Sequence, residues 1–225
     1  IRKTCREVVT IHDVLLKDFP EQFTWTYRFS KDFLFKRSAR RSDLITTVSG
    51  YSAEAIIRHY NVSPRKVKII PYGISTDIIK QREVGELPDI KSIYKLGGYL
   101  LCVSRVEPRK NHVTLVRAFV ELGLWKRNFK LVLIGTDIRV AELENYIDEL
   151  PDDLRKNIIR LKDISYLELL GFYNEASLFV YPSIAEGFGV PPLEAGVLET
   201  KILCSNATAM ADYTFFEDDL FDPLN

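Results

Sequence analysis

The chain has 225 residues, 46% hydrophobic and 28% charged, a balance that suits one large or two small globular domains with a real core. Lys plus Arg equals Asp plus Glu at 31 each, so the whole-chain field favours no polyanion and no nucleic-acid partner is expected. The three cysteines Cys5, Cys102 and Cys204 form no CxxC pair and are odd in number, which argues against a disulfide framework; buried reduced thiols, and hence a cytoplasmic location, are expected instead.

The opening Ile1-Arg2-Lys3-Thr4 lacks the apolar core of a signal peptide, and the chain is expected to begin inside a longer protein. Val8 to Ile11 reads as a buried strand, followed by a helix over Tyr27 to Arg41. Leu44 to Val48 is the next strand, with a helix over Ser52 to Tyr60, for which Ser49 is a natural N-cap. Val67 to Ile70 is the third strand, stopped by Pro71 and Gly73. Residues 81–97 have mixed charge, no clear period, and both Gly85 and Pro88, and are read as a linker. The pattern restarts with the strand Tyr99 to Ser104. A helix carrying Val113, Val116 and Val120 leads to the strand Leu131 to Ile134. Helices marked by Leu143 and Ile147, then by Leu169, Leu170 and Tyr173, flank a strand at Ile158 to Leu161. The strand Leu178 to Tyr181, a helix from Pro191 to Leu198 and a strand at Ile202 end the series. Strands alternating with helices predict an α/β protein with parallel sheets. Residues 1–80 and 98–225 are the expected domains.

The most informative segment is Glu186-Gly187-Phe188-Gly189-Val190-Pro191-Pro192-Leu193-Glu194-Ala195, between a strand and a helix. Ligands of such folds lie outside the C-terminal ends of the strands. Gly187 and Gly189 permit close backbone approach, and free N–H groups at the helix start favour an anion. Glu186 and Glu194 can each take a pair of sugar hydroxyls. A plain strand–turn–helix with solvated glutamates has the same pattern. Upstream, Ser104-Arg105-Val106-Glu107-Pro108-Arg109-Lys110-Asn111 again joins a strand to a helix. Its cations suit a leaving group that gains negative charge, or form a surface basic cluster. His12 ends the first strand, with Asp13 placed to cap the following loop. His12, His59 and His112 have no metal-ligand spacing, and no Ser-His-Asp motif or Walker loop occurs.

Two glutamates in the form Glu-Gly-Phe-Gly-x-x-x-Leu-Glu-Ala resemble the signature of the family 4 glycosyltransferases, which are retaining enzymes of GT-B architecture. The likeness runs from about Val8 to Pro223. It implies two Rossmann-like doubly wound domains facing across a cleft, the N-terminal one incomplete and acceptor-binding, the C-terminal one donor-binding. It further implies that Arg105 and Lys110 hold the donor diphosphate. Glu194 then binds the ribose, Glu186 with the Gly187, Phe188, Gly189, Val190 and Leu193 stretch holds the donor sugar, and His12 acts beside the transferred sugar. No cofactor or metal is expected. Weaker matches are Ser49 with Ser52, and Pro71-Tyr72-Gly73. The Glu107-Pro108-Arg109-Lys110-Asn111 wording resembles the mannosyl- and rhamnosyltransferase branch of bacterial surface-polysaccharide and lipopolysaccharide biosynthesis, with GDP-mannose as a donor and a glycan or lipid-linked acceptor. Family members usually have Asn at Tyr72 and Asp at Ser75. They also have a Gly-rich loop where Thr208-Ala209-Met210-Ala211-Asp212 stands.

The helix over residues 26–41 interleaves Phe29 and Phe33 with Lys31, Lys36, Arg37, Arg40 and Arg41. It suits peripheral contact with an anionic membrane, at its inner face, or a helix packing its aromatics on the sheet. A non-catalytic sugar-nucleotide-binding subunit and a related epimerase or phosphorylase are the rival functions.

Overall fold

A computed structural model of the chain describes residues 5–136 and 140–225; the opening Ile1-Arg2-Lys3-Thr4 lies outside them. The chain divides into two compact units. The first comprises Ile1–Gly73, Ala185–Gly189 and Asn206–Thr214, and the second Ile74–Ile184, Val190–Ser205 and Phe215–Asn225.

The first unit is built on three parallel strands, β1 (Val8–Thr10), β2 (Leu44–Thr47) and β3 (Val67–Ile69), in that order. Val9 stands opposite Ile45 and Thr46 opposite Lys68. Parallel neighbours need long crossovers. A short α1 (Leu15–Asp18) and the long α2 (Trp25–Arg41) make the first, and α3 (Gly50–Tyr60) makes the second. The helix α3 starts where it does because the Ser49 hydroxyl accepts the Ser52 N–H, and it stops at Asn61, whose φ of 50° is left-handed. Ile11, Ile45, Ile56, Tyr60 and Val67 are among the side chains that close the core. At the C-terminal strand edge, Ile11 N–H donates to Thr46 O and Ile70 N–H to Thr47 O. That edge therefore gathers the residues following all three strands.

The second unit opens with α4 (Asp77–Glu83) and α5 (Ile90–Ile93), which bury Ile78 and Ile90. Residues 81–97, read as a linker, thus carry helical turns of this unit. Their short, charge-broken pattern hid the buried Ile90. Six parallel strands follow: β4 (Tyr99–Val103), β5 (Lys130–Ile134), β6 (Ile158–Leu161), β7 (Leu178–Tyr181), β8 (Ile202–Ser205) and β9 (Leu220–Phe221). Helices α6 (His112–Glu121), α7 (Ala141–Asp148), α8 (Asp152–Arg155), α9 (Tyr166–Glu175) and α10 (Val190–Val197) lie between them in sequence. The sheet order is β6-β5-β4-β7-β8-β9. Strand order reverses between β4 and β7, which is where a doubly wound sheet opens its crevice. Leu131, Leu133, Val116 and Phe119 are central to the core. Gly135, just past β5, sits so close to Ser104 that a Cβ there would meet the Ser104 carbonyl oxygen at 2.0 Å.

Cys102 and Cys204 are buried free thiols as expected, whereas Cys5 is exposed because it precedes β1 outside the core. Strand β9 and helices α1 and α8 are too short for periodicity to announce.

Candidate active site

In the second unit, the loop after β4 and the loop after β7 meet at the switch point. Ile184 N–H donates to Arg109 O at 2.7 Å, and the Ser183 hydroxyl donates to the same oxygen at 3.2 Å. Arg105 is exposed and Lys110 is buried, so the two predicted phosphate ligands present their charge differently. Lys110 Nζ donates to Tyr181 Oη at 3.1 Å and lies 5.5 Å from the centre of that ring. The hydroxyl and the ring face steady a charge that burial would otherwise penalise.

The sequence reading missed Glu107. Its carboxylate takes Arg105 at 2.9 Å and Arg109 at 3.0 Å, so it aims both guanidinium groups. The loop therefore carries three cations and one carboxylate, a net positive site at the mouth of a sheet. Behind it, His112 is buried and its Nε2 lies 3.2 Å from the Ser104 hydroxyl. Burial first, then Lys110, pushes its pKa down to about 4, so it stays neutral beside the cations. Next to this loop, a cavity of about 290 Å³ is lined by Val106, Leu133, Gly135, Arg160, Leu161 and Lys162. That is close to the lower bound of small-molecule sites, roughly 300 Å³.

Glu194 and Leu193 stand on α10, with Val190 at its first position and Pro191 and Pro192 in the opening turn. Glu194 Oε2 accepts the Tyr173 hydroxyl at 3.0 Å. Desolvation raises the carboxyl above its ordinary range, and the tyrosine bond only partly offsets this.

The remaining predicted residues belong to the first unit. His12, Ser49 and Tyr72 follow β1, β2 and β3, so the parallel sheet brings them to one edge. The Thr47 hydroxyl donates to His12 O at 2.9 Å, and Asp13 Oδ1 accepts the Leu15 N–H at 3.1 Å, the capping role its position predicts. The hydroxyls of Ser49 and Ser52 both donate to Gly187 O, at 2.7 and 3.2 Å. Asp13 lies so close to Gly187 that a Cβ on that residue would come within 2.6 Å of its Oδ2. Gly187 is therefore small because Asp13 occupies the space a side chain would need. Gly189 has a φ of 93°, which a side chain rarely tolerates.

Glu186 and Phe188 are both buried. Glu186 N–H donates to the Thr208 hydroxyl at 2.9 Å, and the Tyr213 hydroxyl donates to Phe188 O and Gly189 O at 2.7 and 3.1 Å. Asp212 Oδ2 accepts Gly50 N–H at 3.0 Å. The segment Thr208 to Tyr213 thus fastens residues 186–189 and the start of α3. Polar side chains at Thr208, Asp212 and Tyr213 were the visible signal.

Helix α2 turns its aromatic stripe outward: Trp25, Phe29 and Phe33, four residues apart, are 74%, 73% and 61% exposed, and only Ala39 is buried. The packing of Phe29 and Phe33 on the sheet is therefore not observed. Among the described residues no helix is long and apolar enough to cross a membrane.

Residues 85–215 match the family model for Glycosyl transferases group 1, and residues 2–78 match that for Glycosyltransferase Family 4. The chain is 28% identical over 203 residues to the O-antigen chain mannosyltransferase RfbU of Salmonella typhimurium, covering 89% of this chain and 52% of that protein. It is 30% identical over 223 residues to O-antigen chain mannosyltransferase B of Escherichia coli, covering 92% of this chain and 55% of that protein. The chain thus spans about half the length of the curated relatives it matches. Among solved structures, the sucrose-phosphate synthase of Thermosynechococcus elongatus superposes with a TM-score of 0.75 at 20% identity, covering 97% of this chain and 55% of that one, a likeness of fold. The first match takes in the cationic loop after β4, the two-glutamate segment and the whole switch point between them, and on that ground the chain belongs to the group 1 glycosyl transferases, with the GT-B fold.

Proposed function

We propose that this chain serves transfer of a sugar, mannose first among the choices, from a nucleoside-diphosphate sugar such as GDP-mannose to a glycan or lipid-linked acceptor, with retention of anomeric configuration. The observation that carries the reading is the net positive loop of Arg105, Arg109 and Lys110, aimed by Glu107 and fastened at the switch point of the sheet. A diphosphate leaving group accumulates negative charge as the glycosidic bond breaks, and fixed cations lower that barrier without reorganising. Glu194 serves the ribose in this reading. Glu186 and the backbone of residues 187–190 serve the donor sugar, and His12 serves the same sugar. The acceptor enters on the leaving group's side through an oxocarbenium-like transition state, so most of the catalysis is positioning and charge.

The cations do the neutralising that a divalent metal would otherwise do, and we expect none is needed. Loss of turnover in EDTA, restored by Mn²⁺, would overturn this part. The exposed stripe of α2, flanked by Arg28, Lys31, Lys36 and Arg37, supports peripheral binding at the inner face of an anionic membrane.

The central test is a panel of nucleotide sugars against the chain and the full gene product. A ligand at 100 times its dissociation constant adds about 2.7 kcal/mol of stability, which a thermal shift reads easily. GDP-mannose is expected to stabilise both proteins, and the full product to release GDP and form an α-linked product. Stabilisation without turnover by the full product would make it a binding subunit. No stabilisation by any nucleotide sugar would refute the reading.

A further inference from the structure

We propose that Tyr72 is a positioning residue that holds His12 in the neutral tautomer with its proton on Nε2. This rests on the reading of His12 as a contact to the donor sugar. It assigns His12 a chemical state: an uncharged N–H donor aimed away from Tyr72.

The geometry is specific. Tyr72 Oη lies 2.6 Å from His12 Nδ1, and the two rings stack with centroids 5.7 Å apart and planes within 22°. Tyr72 is braced in turn by Phe188, edge to face at 5.3 Å. The bracing residue is itself held through its carbonyl by the Tyr213 hydroxyl. On the other side, the His12 backbone is pinned by the Thr47 hydroxyl. Both ends of the pair are therefore fixed before any ligand arrives.

The direction of the short bond follows from acidity. A phenol is a good donor whose oxygen lone pair is withdrawn into the ring, and an unprotonated imidazole nitrogen is a strong acceptor. The stronger arrangement is Tyr72 O–H donating to Nδ1. A neutral imidazole that accepts at one nitrogen carries its proton on the other. Nε2–H is then the group left to meet a sugar hydroxyl or ring oxygen. Glutamine or asparagine at position 12 could mimic the donor but could not be locked by a phenol in this way.

Long-range proton–nitrogen NMR at neutral pH tests this directly, because the chain has only three histidines and His12→Asn identifies the relevant signals. The expected wild-type pattern is protonated Nε2 and unprotonated Nδ1 at His12, with Tyr72→Phe giving a mixture of the two tautomers. Wild-type His12 protonated on Nδ1, or an unchanged pattern in Tyr72→Phe, overturns the proposal. In the full gene product, Tyr72→Phe should lower kcat by about threefold to tenfold, the net worth of one neutral hydrogen bond, with donor KM nearly unchanged. An equal fall in donor affinity instead would make Tyr72 a binding residue and refute the positioning role. If the wild-type product turns over no donor while the tautomer is as expected, the function proposed above fails and the tautomer assignment stands.

Discussion

Replacing Gly135 with alanine tests whether the end of β5 and the cationic loop are one rigid piece. The new Cβ would stand 2.0 Å from Ser104 O, 2.6 Å from Ser104 C and 3.2 Å from Arg105 N. Real Cβ atoms essentially never come within 3.0 Å of such neighbours, and the obstacle here is backbone, so one segment must yield by about 1 Å. Three hydrogen bonds flank the contact: Ser104 N–H to Ile134 O, Gly135 N–H to Leu161 O and Val106 N–H to Thr136 O. Overpacking costs about 1–3 kcal/mol, and weakening one of these bonds adds roughly another 1 kcal/mol. A total near 3 kcal/mol lowers the melting temperature of a chain this size by about 6–12 °C. Circular dichroism melts would show it. Because the displaced atoms belong to Ser104 and Arg105, nucleoside-diphosphate affinity should fall as well. Gly73→Ala is the control, since nothing lies within 4 Å of its added carbon. A Gly135→Ala protein that melts with wild type and binds as tightly would refute the reasoning, because β5 and the loop would then be free to separate.

Lys110→Met keeps the buried stem but removes the charge; donor affinity should fall by at least roughly 1.5 kcal/mol, about tenfold, in calorimetric titration. Unchanged affinity with lower stability would make Lys110 a purely structural partner of Tyr181. His112 has a folded pKa of about 4, below the ordinary histidine value, because burial disfavours its charge. The unfolded chain therefore binds more protons between roughly pH 6.5 and 4. Stability should fall as pH drops through that window, and His112→Gln should flatten the slope measured by urea titration at each pH. Helix α2 should bring the chain to anionic vesicles in low salt and release it in high salt, in a flotation assay. Phe29→Ser with Phe33→Ser should abolish that binding; equal binding to neutral vesicles would contradict the basic-aromatic explanation.

The strands of both sheets, β9 apart, were legible because Val-, Ile- and Leu-rich runs such as Leu131 to Ile134 have few other uses. The two motif loops were legible for a different reason: glycine, proline and charge cluster where a strand must hand over to a helix. What stayed hidden depended on partners distant in sequence. Gly187 also makes room for Asp13, and nothing near Gly187 in the sequence says so. Lys110 was read as a diphosphate ligand from its own loop, and its hydrogen bond to Tyr181, 71 residues away, was not visible there. The outward turn of Trp25, Phe29 and Phe33 could not be read from a pattern that fits burial equally well.

The first unit is stitched from three stretches of chain, and that has a cost during synthesis. The Ser49 hydroxyl must wait for Gly187, which follows it by 138 residues. Ribosomes add roughly 5–20 residues per second, so that partner arrives about 7–28 s after Ser49 emerges. For that interval the β1-β2-β3 sheet lacks the segments that later bind the start of α3. Slower translation lengthens that wait in proportion.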